Sequence, residues 1–167
     1  AGLMNGAITA RVITVSDRCA AGERADVSGP LARDLLTSQG VRVDQVVVVP
    51  DGVEPVRAAI TEAIAAGRRL ILTAGGTGIS PTDWTPEATE PLLAAQLPGL
   101  AEQIRQRGLG LAQASMLSRG LVGVSGRQPG ACLVVNAPGS PGGVRDAVAV
   151  LGSVLEHLIE QLDAGDH

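Results

Sequence analysis

Residues 70–78, Leu70-Ile71-Leu72-Thr73-Ala74-Gly75-Gly76-Thr77-Gly78, decide the reading of this chain. A short apolar run feeds directly into a glycine-rich loop, as in a buried strand whose carboxyl end opens onto a binding rim. Upstream, Val56, Ile60 and Ile64 recur at helical spacing and stop at Gly67. Before them Val41–Pro50 reads as a strand, and its run Val46–Val49 predicts cover on both faces. Pro30, Leu31, Leu35 and Leu36 predict a helix closed by Gly40, and Ala7–Ser16 a first buried strand. The polar stretch Asp17–Gly29 reads as surface.

Downstream, Thr85-Pro86-Glu87 reads as an N-cap, a proline at the first helical position and an acid in the first turn. Helical pattern continues with breaks to about Gly108, and Leu121–Val124 and Ala131–Val135 read as strands. Val144, Val148, Leu151, Leu155, Leu158 and Leu162 predict one face of a single long helix. Strands alternating with helices make this an α/β chain, a doubly wound, mostly parallel sheet with helices on both faces. Residues 1–167 read as one domain.

Composition narrows the chemistry. The chain has 45% apolar residues and a net charge of −4, with all basic residues arginine. Without lysine there is no Schiff base, P-loop lysine or Ser-Lys dyad. The two histidines, His157 and His167, cannot build a His-rich zinc site, and Cys19 and Cys132 lack CxxC spacing. They predict a reducing, cytoplasmic setting. Trp84 is the sole aromatic residue, which with the acidic balance argues against nucleic acid as a partner. No apolar run reaches the ~20 residues of a membrane span, and the first ten residues lack a basic targeting region. Cys19, Cys132 and Met116 read as structural, and His157 as a packed or solvent-edge side chain.

In open α/β sheets ligands bind beyond the carboxyl ends of the strands. That rule selects Ser16-Asp17-Arg18, Pro50-Asp51, Gly75 to Asp83 and Asn136 to Gly142. Gly75, Gly76, Thr77 and Gly78 suit a phosphate nest, although a plain tight turn reads equally well. Pro55 within a first helical turn moves the cap past Asp51, and Pro86 assigns it to Thr85, two residues beyond Asp83. Both carboxylates are then expected to face the rim, where Mg²⁺ could sit between them and substrate phosphates; solvated loop acids are the alternative. Asn136 and Ser140, in a turn stiffened by Pro138 and Pro141 and opened by Gly139, could hydrogen-bond a heterocycle or phosphate. Arg119, beside Ser118, could bind phosphate or form a surface ion pair.

Val15-Ser16-Asp17-Arg18, Asp26-Val27-Ser28-Gly29-Pro30, Val49-Pro50-Asp51, Thr73 to Gly78, Asp83 to Thr89, Leu117-Ser118-Arg119 and Asn136 to Pro141 occur in one order across residues 8–160. As an ordered set they resemble the molybdenum-cofactor family that includes molybdopterin adenylyltransferase (Mog) and MoaB. The resemblance implies a trimer, with hexamers among relatives, and a molybdopterin cradle formed by the glycine loop, Ser118 and Asn136–Pro141, with ATP alongside. It implies that Asp51 and Asp83 serve adenylylation of molybdopterin by Mg-ATP, releasing pyrophosphate. A downstream molybdate-inserting protein is the implied partner. Departures from the family pattern are the lack of a basic residue in Ile79–Thr82, Trp84 for a small aliphatic residue, and Ala137 for Leu. A non-catalytic, molybdopterin-binding MoaB-type protein is the competing expectation.

Overall fold

The computed structural model describes residues 6–110 and 113–164. Strands β1 (Thr9–Val15), β2 (Arg42–Val49), β3 (Leu70–Ala74), β4 (Ala95–Gln96), β5 (Val122–Val124) and β6 (Leu133–Ala137) form one sheet in the order β2-β1-β3-β6-β5-β4. The first four of these in space run parallel, and β5 and β4 run antiparallel at one edge. Helices α1 (Asp17–Ala20), α2 (Ser28–Ser38), α3 (Val53–Ala65), α4 (Thr85–Thr89), α5 (Pro98–Leu109), α6 (Pro141–Gly152) and α7 (Leu155–Ala164) complete the fold.

Alternation along the central strands builds two cores. Leu70 and Leu72 of β3 point with Val12, Leu133 and Val135 into the layer closed by α2, α5, α6 and α7. Ile71 points with Ile13, Val15 and Val134 toward Val56, Ile60 and Ala88 of α3 and α4. Every residue of β3 and β6 is buried, as a parallel strand covered on both faces requires. Strand order reverses between β1 and β3, since β1 leads outward to β2 and β3 leads the other way to β6. That reversal opens the rim where the loops after β1, β2, β3 and β6 meet.

Several expectations are corrected. Val46–Val49 is not covered on both faces; β2 is the sheet's edge strand, and Val48 is exposed. The final helix is two, α6 and α7, because the chain turns at Ser153, whose hydroxyl donates to the Val150 carbonyl at 2.8 Å. Its apolar stripe survives the break, since Leu151, Leu155 and Ile159 all reach the same core. The interrupted pattern before Gly108 hides β4, whose two residues are too few to show periodicity. Asp17–Gly29 is not all surface: Ser28 and Gly29 are buried, and α2 starts there, before Pro30. Met116 is exposed, and Cys19 sits at the rim. His157 is exposed beside Gln161, while His167 lies outside the described residues.

Candidate functional site

The glycine loop is held by contacts that only glycine permits. Gly75 has φ 114° and packs against the Val15 carbonyl, and Gly76 has φ 69° with its Cα against the Thr85 hydroxyl. Thr85 fastens the loop twice: its hydroxyl donates to the Gly75 carbonyl at 2.9 Å and its N–H to the Gly76 carbonyl at 3.0 Å. Thr85 is therefore a buried tether rather than the cap of α4; Trp84 occupies the cap position without a side-chain capping bond, its Nε1 donating to the Pro81 carbonyl instead. The Gly75 N–H donates to the Ala137 carbonyl at 3.1 Å, which removes that amide from any anion nest.

Asp83 is turned back on its own loop, its Oδ2 accepting from the Ser80 N–H at 3.0 Å. Asp51 lies outside α3, as the position of Pro55 implies, with Gly52 as cap. It is not free, however: its Oδ2 accepts from the Asp17 N–H, and its own N–H donates to Asp17 Oδ1, both at 3.0 Å. Burial pushes the Asp51 carboxyl above its ordinary pKa, the charges of Asp17 and Asp83 push the same way, and the Asp17 N–H offsets them in part.

Two cavities meet at this rim. The first, about 600 Å³, is lined by Ser16, Cys19, Arg24, Asp26, Ser28, Asp51, Gly76, Asp83, Gly139, Ser140 and Pro141 among others. The second, about 440 Å³, takes Thr77, Gly78, Arg105, Ser115, Ser118, Pro138 and Asp146, and again Asp83 and Ser140. The glycine loop is thus the partition between them, and Asp83 and Ser140 face both. Ser140 is also the cap of α6, its Oγ accepting from the Gly143 N–H at 3.0 Å. Ser16 has the same role for α1, accepting from the Cys19 N–H at 3.2 Å.

Two of the expected ligand residues make their bonds within the protein. Asn136 is buried, and its amide is consumed by the protein: Nδ2 donates to the hydroxyls of Thr73 and Thr89 at 3.0 and 3.1 Å, and Oδ1 accepts from the Leu121 N–H. Its side chain bolts β6 to β3 and α4. Arg119 donates to the carbonyls of Gly78 and Asp83 at 2.8 and 3.0 Å and pairs with Glu87, whose carboxyl it holds below the ordinary range. Its guanidinium braces the loop that carries Asp83.

Residues outside the sequence-based assignment also shape the site. Asp26 accepts from the Thr14 hydroxyl at 2.8 Å and the Gly29 N–H at 3.0 Å, and the Ser28 hydroxyl donates to the Gly139 carbonyl at 2.6 Å. The signal for them lay in the Asp26–Pro30 stretch, whose polarity reads as surface until α2 is seen to start there.

Among the described residues no three acidic, His or Cys side chains have metal-binding spacing. Asp51 and Asp83 still fit a hard cation of the Mg²⁺ type, which takes one or two carboxylates and completes its shell with phosphate oxygens and water.

The family described as "Probable molybdopterin binding domain" matches residues 11–157. This chain belongs to that family. It is 35% identical over 150 residues to the molybdopterin adenylyltransferase of Pyrococcus furiosus, covering 89% of this chain and 88% of that protein. It is 40% identical over 160 residues to a molybdenum cofactor biosynthesis bifunctional protein of Synechococcus elongatus, covering 96% of this chain and 49% of that one. The chain spans about half or less of the length of the first curated relatives it matches. Among solved structures, the molybdopterin biosynthesis Mog protein from Mycobacterium ulcerans superposes with a TM-score of 0.85 and 45% identity, covering 93% of this chain and 99% of that one. These relatives are named for molybdenum cofactor biosynthesis or molybdopterin adenylylation. No described helix is long and apolar enough to cross a membrane.

Proposed function

We propose that this domain transfers the adenylyl group of ATP to the terminal phosphate of molybdopterin. One observation carries the reading: two cavities of substrate size adjoin across the glycine loop and share Asp83 and Ser140. A transfer between two bound molecules needs that arrangement, with the reacting atoms at the common wall. The first cavity, with Arg24 and the carboxylates that would hold Mg²⁺, suits the triphosphate, and the second, walled in part by Ile104 and Leu117, suits the pterin.

In the reaction, an oxygen of the molybdopterin phosphate forms a bond to the α-phosphorus of ATP. The bond from that phosphorus to the β-bridging oxygen breaks, and the electron pair leaves with pyrophosphate. Mg²⁺, held by Asp51 and Asp83, would supply neutralisation of the phosphate charge. The chain's own work is alignment. Arg119 and Thr85 hold the partition in shape, and the Asp17 staple fixes the backbone of Asp51. Adenylyl transfer of this kind asks for positioning and charge compensation rather than a side-chain nucleophile, which accords with a rim without lysine or histidine.

The test is release of pyrophosphate from ATP with and without molybdopterin, together with capture of labelled adenylyl-molybdopterin. Release that needs molybdopterin supports the reading. ATP consumption without it indicates a pyrophosphatase, and molybdopterin binding without transfer a non-catalytic module. A trimer is proposed beside this activity, and a sedimentation mass of one subunit at micromolar concentration would oppose it.

A further inference from the structure

We infer that Arg24 is the residue that receives the β- and γ-phosphates of the nucleotide, and so holds the departing pyrophosphate. The inference rests on the adenylyl-transfer reading above. It begins from a shortage of cations: the chain has no lysine, so fixed positive charge at the site can come only from arginine. Arg119 is committed to Gly78, Asp83 and Glu87. Arg105, which lines the second cavity, turns its Nη1 toward the carbonyls of Ser118 and Gly120 at 3.4 and 3.3 Å.

Arg24 differs from both. It is the cation among the residues lining the first cavity, is exposed to solvent, and has no hydrogen-bond or ion-pair partner among the described residues. Asp26, two positions on, forms no ion pair with it; that carboxylate accepts from Thr14 and Gly29. An unpaired guanidinium in a cavity otherwise walled by Asp26, Asp51 and Asp83 offers two or more N–H donors to an incoming phosphate oxygen pair.

Position selects which phosphates. The reacting atoms belong at the shared wall of Asp83 and Ser140, whereas Arg24 lines the first cavity alone. A group away from that wall meets either the adenosine or the pyrophosphate end of ATP, and of the two only the pyrophosphate is an anion.

The experiment is calorimetric titration of the full chain and of Arg24→Gln and Arg24→Lys with ATP and with AMP, in Mg²⁺ buffer. Arg24→Gln should weaken ATP binding roughly ten- to hundredfold, the loss expected for charge-assisted bonds, and leave AMP binding unchanged. Arg24→Lys should recover part of the loss, since it restores charge without the planar fork. Unchanged ATP affinity in Arg24→Gln, or an equal loss for AMP, overturns the inference. Turnover separates it from the activity itself: a wild-type chain that adenylylates molybdopterin while Arg24→Gln binds ATP normally removes only the role of Arg24. A wild-type chain that fails to bind ATP removes both.

Discussion

Asp17 and Asp51, at the ends of neighbouring strands, each accept a hydrogen bond from the other's backbone N–H, both at 3.0 Å. The exchange staples the end of β1 to the end of β2, just past the last ladder pair, Val15 with Val49. It also gives the first N–H of α1 an acceptor, which a helix start otherwise lacks. Two asparagines could make the same bonds without repulsion. Two ionised carboxylates side by side are costly neighbours unless a cation joins them.

Asp51→Asn should therefore raise the melting temperature in metal-free buffer at neutral pH. The folded chain binds the Asp51 proton more tightly than the unfolded chain does, since its folded pKa is raised. Stability thus falls as pH rises from the unfolded pKa through the folded one, and the ionised form works against folding above it. The difference between wild type and variant should shrink as pH is lowered through that window and vanish below it. Asp44 and Asp163 have the opposite sign: burial pushes Asp44 up but Arg11 and Arg68 outweigh it, and Arg69 lowers Asp163, so their stabilisation is lost as pH falls through the lowered values. Melting curves across pH check both.

Gly76 and Gly78 should respond differently to an added methyl group. At Gly76 the positive φ and the Thr85 hydroxyl both oppose a Cβ, so Gly76→Ala should cost about 1–3 kcal/mol of stability. A bulkier Val there should unfold the loop as well as weaken ligand binding. At Gly78 the backbone is unstrained, but a Cβ would stand 2.8 Å from Asp83 Oδ2. Gly78→Ala should leave the melting temperature nearly unchanged and lower turnover by displacing that carboxylate.

Asn136→Ala should behave as a core lesion. It strands the Leu121 N–H and removes the donor shared by Thr73 and Thr89. A loss of about 2–4 kcal/mol follows from unpaired buried groups and the void. Molybdopterin affinity per folded molecule should be unaltered in a titration below the melting range. A specific loss of affinity at full stability would restore Asn136 to the ligand.

These cases show what the residue pattern disclosed. The alternation of strands and helices along the chain and the rim were legible because apolar runs and glycine stops are local signals, and β3 with its loop carried both. Pro55 located the start of α3 correctly because a proline constrains its own turn. Pro86 misled by one residue, since Thr85 answers to Gly75 and Gly76 rather than to its own helix. The internal bonds of Asn136 and Arg119 are not legible in the sequence because their partners lie far off along it, at Thr73, Gly78 and Glu87. Long-range satisfaction of polar groups leaves no periodic trace. Edge exposure of β2 is equally silent, because position within a sheet depends on which strands pair.

Arg119→Gln should lower kcat with little change in the KM for ATP. The side chain lines neither of the two rim cavities, but it holds the carbonyls on both sides of the Ile79–Thr82 loop. Loosening that loop lets Asp83 wander, which harms the transition state more than ground-state binding. A large rise in KM with kcat preserved would instead mark Arg119 as a phosphate contact.

Asp83 is the group on which the two cavities converge, and Asp83→Asn tests it with little structural disturbance. Asparagine retains an oxygen to accept the Ser80 N–H, so the turn and the melting temperature should persist. Removing the charge should lower turnover by roughly two to three orders of magnitude, the scale for loss of a preorganised charge at a transition state. Asp51→Asn should act in the same direction, and Mn²⁺ binding in the presence of ATP should weaken in both variants. If the two carboxylates hold one ion, the double variant should be little worse than either single one, because a site already without its cation has no more of that effect to lose. Multiplicative losses would mean that the aspartates act separately. Full activity in Asp83→Asn with a lowered melting temperature would make Asp83 a turn residue and move the chemistry elsewhere on the shared wall.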